Sequence, residues 1–260
     1  MKILNHKQYD SLYHLHVVKT GGTHLATFLM YNIYNKLKNA DVKINRESLE
    51  NIHAGWKPVE ENQYIISSFR DPVKRIISHF FHLLKLELAD SPVINRENKW
   101  QHFIGGNISN YINPTKNDFF SWLEYNSPHI NSYQSKNFFY KEDIKTVPYT
   151  LRGVTAPLYL EGFNSLDVLK NISRINLLLR TKDININNFE NLLNTILNDF
   201  NLKNKDKVDT DILSTNSNKK SFEFYNSLSK KEIEYIESLN TLDLEIYNTD
   251  SFFWDPKAFI

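Results

Sequence analysis

The chain has 260 residues, 41% of them hydrophobic, with 31 basic and 30 acidic side chains and a net charge of +1. That suffices for one large α/β domain or two small ones, and near-balanced charge supplies no global field for nucleic acid or an anionic membrane. With no cysteine, neither disulfides nor thiolate metal sites are available; the polar residues among the first twelve do not read as a leader and no apolar run nears a membrane span, so a cytoplasmic protein without leader or membrane insertion is the expectation.

In chain order, the first informative stretch runs over residues 13–23. The apolar residues 13–18 read as a short buried strand, and Leu25, Phe28, Leu29, Ile33 and Leu37 recur at helical spacing over residues 23–38. Between them lies Lys19-Thr20-Gly21-Gly22-Thr23. Two adjacent glycines let the backbone turn sharply and approach a ligand. The helix that follows presents unpaired N–H groups and a positive dipole end to an anion. Lys19 adds a full charge, and His24 sits at the helix start. A lone Gly-Gly pair is more often only a tight turn. A lysine and two threonines around it make a phosphate or sulfate site. The order differs from the ATP-binding loop Gly-x-x-x-x-Gly-Lys-Ser/Thr, because here the lysine precedes the glycines.

Residues 41–45 read as a short strand, and residues 52–58, which carry His53, as a loop closed by Gly55 and Pro58. Residues 64–69 read as a second buried strand. It runs into Arg70-Asp71-Pro72, with Asp71 as N-cap and Pro72 at the first helical position. The following helix has one apolar face, from Val73 through Ile76, Ile77 and Phe80 to Leu84 and Leu88, with Ser78 on another face. Open α/β sheets bind ligands at the carboxyl ends of their strands. Arg70 there can hold a phosphate through two parallel hydrogen bonds, and Ser78 can add a third.

These two strand-to-helix junctions resemble the 5′-phosphosulfate and 3′-phosphate motifs of sulfotransferases that use 3′-phosphoadenosine 5′-phosphosulfate (PAPS). In that family Lys-Thr-Gly-Gly-Thr is a familiar form of the first motif. The second is Arg, usually Asp-Pro, then Ser eight residues after the Arg. The resemblance spans about residues 13–250 and points to the carbohydrate type, similar to heparan sulfate 2-O-sulfotransferases. It implies a parallel sheet flanked by helices, related to P-loop kinases, in a single domain over residues 1–260. It also implies PAPS as donor, adenosine 3′,5′-bisphosphate (PAP) as product, a carbohydrate acceptor and no metal. Lys19, Thr20, Gly21, Gly22, Thr23, His24, Arg70 and Ser78 become donor-binding residues, with Lys19 also catalytic. In these enzymes the interval between the two motifs carries the catalytic histidine, which assigns the base to His53, with His24 as runner-up. The residues themselves leave a nucleotide kinase, a nucleotide-binding protein without catalysis and an interaction module open.

Further along, residues 86–127 are polar with scattered aromatics. They read as an irregular insertion on the acceptor side, with a helix over about residues 118–125. Residues 131–136 loosely resemble the family's Asn-x-x-Thr-Arg segment near the donor, with Ser135 and Lys136 in place of Thr and Arg. Residues 158–163 read as a strand and residues 166–179 as a helix capped by Asn164 or Ser165. A helix over residues 187–200 starts with Asn187 and Glu190 as a capping-box-like pair. Residues 216–220 resemble the family's Asn-x-Ser-x-x-Lys loop, which implies donor contacts from Asn216 and Lys219. Ser229 and Glu232 form a capping box before a helix reaching Leu239, and residues 242–247 resemble the family's closing structural helix.

Overall fold

The computed structural model describes residues 9–17, 20–44, 62–88, 109, 112–138, 148–151, 154–157, 164–203, 208 and 219–257. At its centre is a parallel sheet of four strands, β1 (Ser11–Leu15), β2 (Lys43–Ile44), β3 (Gln63–Phe69) and β6 (Leu177–Arg180), in the spatial order β2-β1-β3-β6. Leu12 pairs with Ile44 and Tyr64, and Phe69 with Arg180. Strands β4 (Pro148–Leu151) and β5 (Val154–Pro157) form a separate antiparallel pair.

Both faces of the parallel sheet are covered, which is why all of β1 is buried, including polar Ser11 and His14. Alternation along the strands divides the core. On one face Leu12, Tyr64 and Ile66 pack against Leu25, Phe28, Leu29, Ile33 and Leu37 and against Leu192, Leu193 and Ile196. On the other, Tyr13, Leu15, Ile65 and Phe69 pack against Tyr133, Val168, Ile172 and Ile246. A third cluster joins α3 (Pro72–Leu88) to α4 (Lys116–Ile130) and α9 (Lys230–Ser238) through Phe80, Phe119, Trp122 and Ile236.

The first expected helix is present but not uniform. It consists of α1 (Gly22–Phe28), a π-helical turn (Leu29–Ile33) and α2 (Tyr34–Asn39). The five-residue spacing from Phe28 to Ile33, both buried, suits that wider turn. The first strand lies two to three residues earlier than expected, where it pairs on both sides. The expected helix over residues 118–125 extends over Lys116–Ile130. Thr115 caps it in a capping box with Asp118, and Phe119, Trp122 and Leu123 belong to the core.

The helix expected over residues 166–179 ends early. Helix α6 (Ser165–Ile172), capped by Asn164, stops at a turn, and Leu177-Leu178-Leu179 forms β6 instead. Three consecutive leucines buried on both faces satisfy a central parallel strand, and helical spacing cannot distinguish them. The Asn187–Glu190 pair does not open the next helix. Asn185 accepts from Asn187 N and caps a 3₁₀ turn (Ile186–Asn188), and α7 (Phe189–Asp199) follows it. The Ser229–Glu232 capping box is present. The expected strand over residues 158–163 lies outside the described residues.

Candidate functional site

The chain passes from β1 to β2 on one side and then to β3 on the other, so the topology switches between β1 and β3. Ligands of open parallel sheets lie beyond the carboxyl ends of the strands at such a point. The glycine turn follows β1, Arg70 follows β3 and Thr181 follows β6, so all three leave the same edge of the sheet.

Gly21 adopts φ +85°, the left-handed conformation that favours glycine, and precedes α1. The first bond into that helix runs from Leu25 N to Gly21 O over 3.1 Å, so the amides of Gly22 and Thr23 come before it. A Cβ on Gly22 would lie 2.1 Å from His16 Cδ2, which reserves this position for glycine. His16 stacks on His14 at 5.6 Å between ring centroids.

Thr20 is fully buried and its hydroxyl points inward. It donates to Val17 O at 2.8 Å and lies 2.9 Å from Ser68 Oγ on β3. It thus shapes the turn from beneath. Thr23 is exposed and His24 half-buried. Lys19 lies outside the described residues, as do His53 and Asn216.

Arg70 is half-buried at the end of β3. Burial lowers its pKa from the ordinary guanidinium value, while Asp71 and Tyr247 pull the other way. Asp71 caps α3 by accepting from Lys74 N at 3.0 Å. Ser78, two turns along α3, is buried rather than solvent-facing. Lys219 is exposed in the first turn of α8 (Lys219–Ser227) and pairs with Glu223 at 3.7 Å. That helix lies beside α3, with Lys74 Nζ 5.0 Å from the Tyr225 ring centroid.

Three residues of this region have roles that the sequence did not assign to them. Thr181 joins the two junctions: its hydroxyl lies 2.5 Å from Thr20 O and 3.2 Å from Phe69 O. Gln134 in α5 (Tyr133–Asn137) holds the backbone of Arg70. Asp243 in α10 (Thr241–Asn248), fully buried, accepts from the amides of Gln134 and Ser135 at 3.1 and 2.8 Å. Gln134 lies within residues 131–136, whose loose resemblance to a donor-side segment gave it no role of its own, and a lone threonine after Leu177-Leu178-Leu179-Arg180 was the only sequence signal for Thr181.

Arg75, also fully buried, lies 4.6 Å over the Tyr133 ring and 3.4 Å from His79 Nδ1. Burial lowers its pKa to about 10 against the opposing attraction of Asp243. Asp243 also attracts the Lys136 ammonium, whose pKa burial lowers. Among the described residues, no group of three or more His, Asp or Glu side chains could hold a metal, and no helix is long and apolar enough to cross a membrane.

No curated protein matches the chain. A family model described as "Sulfotransferase family" matches residues 3–250. That span takes in both junctions, the whole parallel sheet and the closing helix α10. With a glycine turn and an arginine placed at the switch point of a parallel sheet flanked by helices, and nearly the full length matched, the chain belongs to the sulfotransferase family.

Proposed function

We propose that this protein transfers the sulfuryl group of PAPS to a hydroxyl of a carbohydrate acceptor. The observation that carries this reading is the placing of the Gly21 turn and Arg70 at neighbouring strand ends, β1 and β3, astride the switch point. One end supplies backbone amides and the other a partly desolvated guanidinium, which suits a ligand anionic at two places. PAPS is such a molecule: it supplies the sulfuryl group and leaves as PAP.

The amides of Gly22 and Thr23 and the Lys19 ammonium bind the 5′ end. Negative charge grows on the leaving phosphate oxygen as the sulfur–oxygen bond breaks, and donors already in place there stabilise it without reorganisation. Arg70 and Ser78 hold the 3′-phosphate, which selects PAPS over a nucleotide lacking it. Thr20 contributes through the shape of the turn, since its hydroxyl is engaged inside. Asn216, and Lys219 in the first turn of α8, border the donor. His53 accepts the acceptor's hydroxyl proton, a task suited to a side chain whose ordinary pKa lies near neutrality.

A labelled-sulfate transfer assay against a panel of glycans tests the reading. The expected result is transfer to at least one glycan. His53→Ala should lower turnover by about 10²–10⁴-fold with PAP affinity nearly intact, and Lys19→Ala by about 10²-fold or more. Transfer undiminished in His53→Ala would remove that residue as the base, and phosphate transfer from ATP instead would overturn the reading.

A further inference from the structure

We infer that Gln134 is a positioning residue for the donor: it sets the direction of Arg70 and thereby the preference for a 3′-phosphate. The inference rests on the donor reading above. Strand β3 ends at Phe69, so the peptide groups of Arg70 fall just beyond its pairing with β6, which stops at Phe69↔Arg180. The side chain of Gln134 takes over there. Arg70 N donates to Gln134 Oε1 at 2.8 Å, and Gln134 Nε2 donates to Arg70 O at 2.9 Å. One amide side chain thus reproduces, for one residue more, the paired bonds a neighbouring strand would give.

Gln134 is itself 0% exposed and cannot swing away. Its own amide donates to Asp243 Oδ2 at 3.1 Å, its Nε2 reaches the same oxygen at 3.4 Å, and the Ser135 amide and hydroxyl both donate to Asp243 Oδ1. A route of buried hydrogen bonds therefore runs from α10 through α5 to the backbone of Arg70. Fixing both N–H and C=O fixes the peptide planes on either side of the Arg70 Cα, and so the direction of the Cα–Cβ bond from which the guanidinium extends. An arginine recognises phosphate through a rigid planar fork, so its grip depends on approach direction more than a lysine's would.

The test is calorimetric titration of the full chain with PAP and with adenosine 5′-monophosphate, which differ by the 3′-phosphate. Wild type should prefer PAP. Gln134→Met keeps the length and volume and removes both polar atoms. It should lower the preference by about tenfold or more, the scale of a misdirected charged hydrogen bond, while the monophosphate binds as before. If that variant fails to fold, Gln134→Glu, which keeps the acceptor and loses the donor, carries the same readout. An unchanged preference in a folded variant, or equal weakening of both nucleotides, would overturn the inference alone. A wild type with no preference for PAP would overturn the donor reading and the inference with it.

Discussion

Thr181 shows how much a single hydroxyl can organise here. Its oxygen reaches the carbonyls of Thr20 and Phe69, which belong to the two junctions, and its methyl group lies 3.0 Å from where a Cβ on Gly21 would sit. Replacing it by valine keeps the shape and removes the donor. Thr181→Val should cost about 1 kcal/mol of stability, the usual net worth of a neutral hydrogen bond, read as a shift in urea midpoint at constant slope. A variant as stable as wild type would show that the hydroxyl bonds contribute nothing net. Gly21, Gly22 and Arg70 were legible as residues of the two junctions because their chemistry is local: a turn needing glycine, and a charge at a strand end. Thr181 was not, because its role exists only once β6 lies beside β3, 112 residues apart along the chain. His16 was equally hidden, since only the folded turn shows Gly22 seated on its ring.

Among the elements, α5 and α10 depend on one another through Asp243. Burial raises the pKa of this carboxyl, and the bonds from Ser135 and Gln134 and the charge of Arg75 oppose that rise. Each oxygen accepts from two donors, one pair from Ser135 and the other from Gln134. An amide in its place would turn an NH₂ group towards one donor pair. Asp243→Asn should therefore destabilise the fold by about 1–3 kcal/mol, the penalty for leaving buried donors unmatched. Chemical denaturation checks this, and a loss within error of zero would mean that the carboxylate is dispensable. Helices with one apolar face and explicit caps, such as α3 and α9, were readable in advance. The strand β6 was not: a run of leucines carries no period, so its state is decided by the open position next to β3. The π-helical turn was also hidden, because its five-residue step passes for helical spacing.

For the molecule as a whole, covering both faces of the sheet determines how it responds to acid. His14 lies on the central strand β1, and burial lowers its pKa to about 3, against about 6.5 in an unfolded chain. Between those values the unfolded state binds more protons, so stability rises with pH across that window. This contribution is complete above about pH 6.5 and is lost as pH falls towards 3, with a slope of up to about 1.4 kcal/mol per unit. Urea denaturation at pH 7 and pH 5 should show the loss in wild type and a smaller one in His14→Phe. Equal losses would remove His14 as its source. The arrangement of strands was foreseeable as a class from the alternation of apolar strands and amphipathic helices, whereas the order β2-β1-β3-β6 required the pairings themselves. That order creates the switch point on which the functional account depends. The most direct measurement is calorimetric titration of the protein with PAP and, separately, with ATP and Mg²⁺, repeated on Arg70→Ala. The account predicts that wild type binds PAP more tightly than ATP and that Arg70→Ala weakens PAP by about 1.5–3 kcal/mol; binding of ATP with Mg²⁺ but not PAP, or PAP affinity unaffected by Arg70→Ala, would contradict it.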